Sequence, residues 1–335
     1  MKAVQVRAPA TLDTLELFEM AEPSAPGAGE IRVRVRASSL NYHDLHVVSG
    51  GEAPDGRIPM SDGAGEIIAI GEGVSEFAVG DAVVSTFFPD WTDGHVIDAG
   101  FRCTPGDGID GYAREIVTCP VSHFTRAPRG LSHAEAATLP CAGLTAWRGL
   151  IVNGQLKAGD SVLVLGTGGV SIFALQIAKA MGATVVATSS SDEKLEKLRA
   201  LGADHLINYR DEPRWGRKVR ALTDGRGVDH VIEVGGAETL SQSMTAVRAG
   251  GQISVIGLLT GAPGSNGSIA QAIGRQIVLR GLIVGSRQHQ LDFFRAVETI
   301  GLKPVIDSHY ALDDIADAFR HQKSGRHFGK IVVDF

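Results

Sequence analysis

Two textures of apolar and polar positions divide the chain. Through residue 120, short apolar-rich runs at 2–6, 30–38, 64–70, 81–87 and 114–117 alternate with Gly-, Pro- and Asp-rich punctuation such as EPSAPGAGE and GEGVSEFAVGD. Such spacing predicts short strands joined by turns, and hence a compact, mostly-β domain. From Asp160 onward the texture changes. SVLVL is a continuous apolar run, as a parallel strand covered on both faces requires. GTGGVS follows it, SIFALQIAKAMG spaces its apolar residues like a buried helix, and ATVVAT reads as a second strand. Ser190, with Glu193 three residues on, predicts a capping box that opens the helix DEKLEKLRALG. DHVIEV, GQISVIG and VLRGLIVG supply further strands, and this alternation predicts an α/β fold with a doubly wound parallel sheet. The end of the chain returns to mixed texture, with ALDDIADAFRHQKSG as an amphipathic helix expected to fold back on the first domain. The predicted segments are therefore 1–124, 125–285 and 286–335. Residues 89–110 carry no periodicity and are long for a connection, so a lid and a solvated insertion both remain open.

Composition narrows the function classes. A length of 335 residues suits two domains, and 44% hydrophobic content with a net charge of −6 excludes a disordered chain. Acidic and basic residues are interspersed without a basic stripe, so no nucleic-acid partner is expected. No apolar run approaches the ~20 residues that span a bilayer. The start, MKAVQVRAPA, lacks the pattern of a signal peptide, and a cytoplasmic location is expected. Cys103, Cys119 and Cys141 are odd in number and scattered, which argues against a disulfide framework.

The loop after the first buried strand carries the chemistry. Gly166, Gly168 and Ser171 occupy the positions of a G-x-G-x-x-G fingerprint, with Gly169 added. The motif alone is weak, but here it follows a strand, opens a helix and precedes a second strand. Side chains missing there let the backbone N–H groups of 166–170, including those of Thr167 and Val170, approach a pyrophosphate at a helix N-terminus. A dinucleotide cofactor is thus expected. The second strand ends in Thr188-Ser189-Ser190-Ser191, with Lys194 one turn on and Tyr209-Arg210 later, rather than in an acid that would repel a 2′-phosphate. NADP(H) is favoured over NAD(H), although Asp192 lies close in sequence.

Six segments together resemble the medium-chain dehydrogenase/reductase superfamily over essentially the whole chain: LNYHDLHVVSG (40–50), SDGAGEIIAIGEGV (61–74), FAVGDAV (77–83), LPCAGLTAW (139–147), GDSVLVLGTGGVS (159–171) and HFGKIVV (327–333). The resemblance implies a GroES-like catalytic domain followed by a Rossmann nucleotide-binding domain. Many members hold a catalytic zinc through Cys, His and Cys. Matched on motifs, those positions are Asn41, Ser61 and Cys141 here, and the acid after the histidine is Asp62. An amide oxygen and a hydroxyl are poor zinc partners, and the four-cysteine structural lobe has only Cys103 in its place. The chain is therefore similar to the zinc-free, quinone oxidoreductase-like and enoyl reductase-like branch, with no metal expected.

Without a metal, hydrogen-bond donors must polarise the substrate oxygen. The resemblance places Asn41, Tyr42 and His43 on the substrate-facing loop, with Tyr42 or His43 as donor and Asp44 orienting the loop. His46 matches a proton-relay position of zinc alcohol dehydrogenases, and Cys141 is implied to be a remnant near the nicotinamide. Thr145 is expected at the nicotinamide or its ribose, Gly257, Leu258, Gly285 and Ser286 at strand ends beside it, and Lys330 at a cofactor phosphate. Phe87, Phe88, Trp91 and Phe293 are candidates to wall a pocket, with core packing as the competing reading. The expected activity is zinc-independent hydride transfer from NADPH to a quinone or an α,β-unsaturated carbonyl. Two alternatives stand: an alcohol dehydrogenase or carbonyl reductase, and an NADPH-binding, crystallin-like structural protein with little turnover. A homodimer is expected through the apolar strand at 278–285.

Overall fold

The computed structural model describes residues 1–50, 53–96, 102–257, 259 and 269–335. Contacts divide the chain into two compact units, Met1–Leu144 with Val284–Phe335, and Thr145–Ile283. Among the described residues, no helix is long and apolar enough to cross a membrane.

The first unit contains β1 (Lys2–Val6), β2 (Leu15–Glu19), β3 (Glu30–Ser39), α1 (Tyr42–Ser49), β4 (Ala64–Ile70), β5 (Ala82–Ser85), β6 (Ile116–Pro120), β7 (Phe124–Arg126) and α2 (His133–Ala137). β1 and β2 pair with each other, and the remaining strands form one sheet in the order β14-β15-β3-β4-β5-β7, with β6 also paired to β3; β14 (Ile306–Ala311) and β15 (Lys330–Asp334) come from the end of the chain. β15 joins β3 antiparallel, Val333 opposite Ser38. This pairing brings the C-terminal segment to the loop after β3, where the polar site lies. Alternation explains β3: Ile31, Val33, Val35 and Ala37 are buried, and the intervening arginines are not.

α2 begins a helical run that changes pitch. Ser132 caps it, its Oγ accepting from Glu135 N (3.2 Å) while Glu135 Oε2 accepts from Ser132 N (2.8 Å). A π-turn at Leu139–Gly143 contains Pro140, which has no N–H to give an α-helical ladder. α3 (Leu144–Trp147) and a second π-turn, Arg148–Val152, follow. The seam between units falls inside this run, at 144/145, instead of at 124/125 as the sequence suggests. β7 pairs with β5, and α2 lies against β3, β4 and β5, so this stretch belongs with the first sheet.

In the second unit, β8 (Ser161–Leu165), α4 (Gly169–Ala180), β9 (Thr184–Ser189), α5 (Asp192–Ala200), β10 (His205–Asn208), α6 (Trp215–Leu222), β11 (Val228–Glu233), α7 (Leu240–Ala246), β12 (Val247–Val255), α8 (Ile269–Arg275) and β13 (Val278–Gly281) succeed one another. The strands form an all-parallel sheet in the order β10-β9-β8-β11-β12-β13. β8 is buried along its whole length, as its unbroken apolar run requires. Leu163, Val186, Val231 and Ile253 share one core with Trp215 and Met244, and each aliphatic side chain so buried contributes roughly 1.5–3 kcal/mol. From β8 the chain builds outward through β9 and β10 on one side and β11 to β13 on the other. The strand order therefore reverses at β8, and ligands in such sheets bind at the carboxyl ends of the strands at that point. α9 (Arg287–Ile300) and α10 (Ile315–Lys323) return to the first unit.

Candidate functional site

The loop at the end of β8 is shaped by backbone geometry. Gly166 has φ +71°, a left-handed conformation open to glycine at little cost, and its N–H donates to Thr188 O (2.9 Å). Gly168 caps α4 in an extended conformation without a side-chain cap, so the first N–H groups of the helix keep their donors. Among the described residues, a Cβ at Gly166 or Gly168 would meet nothing within 4 Å, so the loop presents the amides that follow Gly166 on an open side. This arrangement fits the diphosphate of a dinucleotide. Thr167 is buried, Val170 half-buried, and the helix begins at Gly169. Ser171 replaces the third glycine of the fingerprint without cost: it is buried, and its Oγ donates to Leu165 O (2.7 Å).

At the end of β9, Ser189 is buried and its Oγ accepts from Ser191 N (3.2 Å). The helix cap is Ser191 rather than Ser190: its Oγ accepts from Lys194 N (3.4 Å). Register decides this, because Glu193 then stands at the second helical position and pairs with Lys197 (2.8 Å) instead of closing a box. Ser190 is left half-buried in the bend, beside half-buried Lys194 on the first turn of α5. Tyr209 joins them, its N–H donating to Ser189 O (3.1 Å) and its ring 41% exposed. Asp192 turns its carboxylate to Asn208 Nδ2 (2.8 Å). Thr145 is buried in α3. Gly257 follows β12 where a Cβ would lie 2.1 Å from Val234 O, so only glycine fits. Leu258 lies outside the described residues.

In the first unit, Asn41 and Asp44 of the substrate-loop segment sit in a buried polar cluster, whereas Tyr42 and His43 lie outside it. Asn41 precedes α1, and its N–H donates to Asp44 Oδ2 (2.9 Å); Asp44 Oδ1 accepts from Ser61 N (2.8 Å). The amide of Asn41 donates through Nδ2 to Asp62 Oδ2 (2.8 Å) and Ser61 Oγ (3.3 Å). Its Oδ1 accepts from Lys330 Nζ (2.5 Å), which also donates to Leu40 O (2.6 Å) and stands 3.9 Å from Asp62 Oδ2. Ser39 Oγ completes the set, donating to Asp62 Oδ2 (2.9 Å). Among the described residues, Asp62 Oδ1 has no hydrogen-bond partner. Burial pushes the Asp62 carboxyl up to about 7, against the Lys330 ammonium and the donors Asn41 and Ser39, with the nearby Asp44 charge adding to the rise. Burial, and then the Asp62 charge, raises the Cys141 thiol well above its ordinary value.

Expected at a cofactor phosphate, Lys330 is instead 3% exposed with its ammonium committed to Leu40 and Asn41. Ser286 is likewise engaged, since its Oγ caps α9 by accepting from His289 N (3.2 Å). Gly285 is buried against Leu144, where an added Cβ would come within 3.2 Å. Tyr42 is 53% exposed at the start of α1. His43 is half-buried, its Nε2 3.4 Å from Asp107 Oδ2 and its ring edge-on to Phe87. His46 is exposed. Phe87, Trp91 and Phe293 are core residues at 2%, 3% and 0% exposure, which leaves Phe88 as the half-buried member of that set. The sequence reading missed Ser39 and Asp107, whose contacts join positions 23 and 64 residues apart without any local signal.

The cluster does not form a zinc donor set. Asn41 and Ser61 offer neutral oxygens already in hydrogen bonds, and the Cys141 thiol holds its proton. Among the described residues, no three His, Cys, Asp or Glu side chains are grouped to hold a metal ion.

Comparison with known proteins agrees with this architecture. The family model described as alcohol dehydrogenase GroES-like domain matches residues 27–129, and that described as zinc-binding dehydrogenase matches 169–302. With these two domains in this order, the chain belongs to the medium-chain dehydrogenase/reductase superfamily. It is an oxidoreductase of that family, and the family implies a nicotinamide cofactor. It is 41% identical over 329 residues to the zinc-type alcohol dehydrogenase-like protein C1773.06c of Schizosaccharomyces pombe, covering 96% of this chain and 95% of that one. A solved NAD-dependent alcohol dehydrogenase superposes with a TM-score of 0.90 at 34% identity, each chain covered in full. Residues of this chain also match a mycocerosic acid synthase-like polyketide synthase of Mycobacterium tuberculosis, at 34% identity over 99% of this chain and 15% of that much longer protein.

Proposed function

We propose that this protein reduces a quinone or an α,β-unsaturated carbonyl compound with NADPH and without a catalytic metal. The observation that carries the reading is the Asn41–Ser61–Asp62–Lys330 cluster, in which positions that bear zinc ligands elsewhere in the superfamily are closed by internal hydrogen bonds. When bound, the nicotinamide cofactor supplies the hydride. The chain's own residues do the rest. The amides of 167–170 hold the diphosphate, with Gly166 turning the loop, and Ser189, Ser190, Lys194 and Tyr209 surround the adenosine ribose, where hydroxyls and a cation accept a 2′-phosphate. Thr145 and Gly257 serve the nicotinamide end. The exposed Tyr42 hydroxyl donates a hydrogen bond to the substrate oxygen as charge develops there, whereas Asp107 and Phe87 engage His43. The same reading takes the protein as a cytoplasmic homodimer.

A second reading, alcohol dehydrogenase or carbonyl reductase, is favoured by the names of the 41% and 34% identical relatives. One assay separates the two: nicotinamide oxidation or reduction with quinones, enones, aldehydes and alcohols, on protein of measured metal content. The expected result is quinone or enone turnover at well under one zinc per chain. A charged hydrogen bond to the 2′-phosphate should give NADPH at least about tenfold higher kcat/KM than NADH. Alcohol oxidation with one zinc per chain would establish the second reading, and cofactor binding without turnover would make the protein a structural NADPH binder.

A further inference from the structure

Tyr42 is presented from the first residue of α1, a helix of eight residues that is too short to hold its own start in place. Leu40 and Asn41, the two residues before it, are gripped by a side chain from the far end of the chain. Lys330 Nζ donates to Leu40 O (2.6 Å) and to Asn41 Oδ1 (2.5 Å). An ammonium only donates, so Asn41 must turn its amide oxygen to Lys330, which leaves it one acceptable orientation. Its oxygen faces Lys330, and its Nδ2 faces Asp62 Oδ2 and Ser61 Oγ. Asp44 ties the same turn to the next segment by accepting from Asn41 N and Ser61 N. All six residues from Leu40 to Lys330 in this set are buried. Packing alone would be served by an apolar side chain of similar volume, and burying an ammonium carries a desolvation cost.

We propose that Lys330 is a positioning residue: acting through Leu40 and Asn41, it fixes the N-terminal turn of α1 and thereby the direction in which the Tyr42 hydroxyl is offered. This role rests on the reading of Tyr42 as the donor, and it replaces the phosphate contact expected from the FGK motif.

The test is steady-state kinetics on the full chain with Lys330→Met, Tyr42→Phe and the double variant, beside NADPH binding and thermal melting. Misplacing a reacting group by about 1 Å costs on the order of 10²-fold, so Lys330→Met should lower kcat by that order. NADPH affinity should stay within about twofold. In the Tyr42→Phe background the same substitution should cost less than about threefold, since nothing remains to be positioned. A purely structural role would not produce that loss of additivity. Full kcat in Lys330→Met, an undiminished loss in the Tyr42→Phe background, or a tenfold weaker NADPH affinity would each overturn the proposal, the last by returning Lys330 to the phosphate. Undiminished turnover by Tyr42→Phe itself would instead remove the donor reading, and with it what Lys330 is said to position. If Lys330→Met does not fold, Lys330→Leu, which likewise removes the donor to Leu40 and Asn41, enters the same cycle and is judged by the same outcomes.

Discussion

Asp62 is wholly buried, with one carboxylate oxygen shared by Ser39 and Asn41 and the other, among the described residues, without a partner. That leaves a signature in stability. An unfolded aspartate releases its proton near 3.8, whereas folded Asp62 holds it up to about 7. Between those values the folded state binds more protons, so this group's contribution is fully present below the lower value and is lost as pH rises through the upper one. At about 1.4 kcal/mol per unit the change is on the order of a few kcal/mol. Asp62→Asn removes the titration, so urea midpoints of wild type should fall relative to the variant on going from pH 5 to pH 8. Curves that stay parallel would show that Asp62 does not titrate there. Motif matching found Asn41, Ser61, Asp62 and Cys141, because each sits in a short recognisable run. It misplaced Lys330, because the partner that claims its ammonium lies 289 residues away and no local pattern reports that distance.

The elements that came through most plainly in the sequence are those whose apolar runs leave no choice. SVLVL had to be a strand buried on both faces, and GTGGVS after it had to turn into a helix. Competing local rules blurred the rest. Three consecutive serines, 189–191, each suit an N-cap, and only the end of β9 selects Ser191. LPCAGLTAW is apolar without a clear period because the helix there changes pitch around Pro140, and the seam between units was consequently read too early. The phosphate loop offers a test that separates fold from ligand. Gly168 has φ −76°, which any residue adopts, and a Cβ there meets none of the described residues within 4 Å. Gly168→Ala should therefore change stability by no more than about 1 kcal/mol, the difference between glycine and alanine at a helix cap. Yet the methyl group would stand where a diphosphate must approach the amides, and NADPH affinity should drop by at least about tenfold, as for one lost charge-assisted hydrogen bond. Calorimetric titration beside thermal melting checks both halves; unchanged affinity would mean that this loop does not hold the phosphates.

At the scale of the molecule, the parallel sheet ends in a strand that is short and exposed. The sequence predicts a strand through VLRGLIVG, but β13 covers only Val278–Gly281, paired among the described residues to β12 alone and with all four residues exposed. Val278 and Leu279 are 43% and 45% exposed, with Ile283 just beyond at 50% and Ile269 and Ile273 of α8 above 70%. An open edge carrying aliphatic side chains pairs readily with another strand, and proteins that stay monomeric normally blunt such edges with charge, proline or a bulge. Here the blunting is slight, with Arg280 the one charge in β13. The same strand of a second copy, run antiparallel across a two-fold axis, presents a matching edge and equally apolar flanks, because an isologous contact uses one patch twice. The protein should therefore sediment as a dimer at micromolar concentration. Leu279→Lys places a charge on that edge without touching the buried core, and should shift the population to monomer while far-UV circular dichroism stays unchanged. A wild type that sediments as a monomer, or a Leu279→Lys variant that remains dimeric, would show that the apolar edge of this sheet is not where the copies meet.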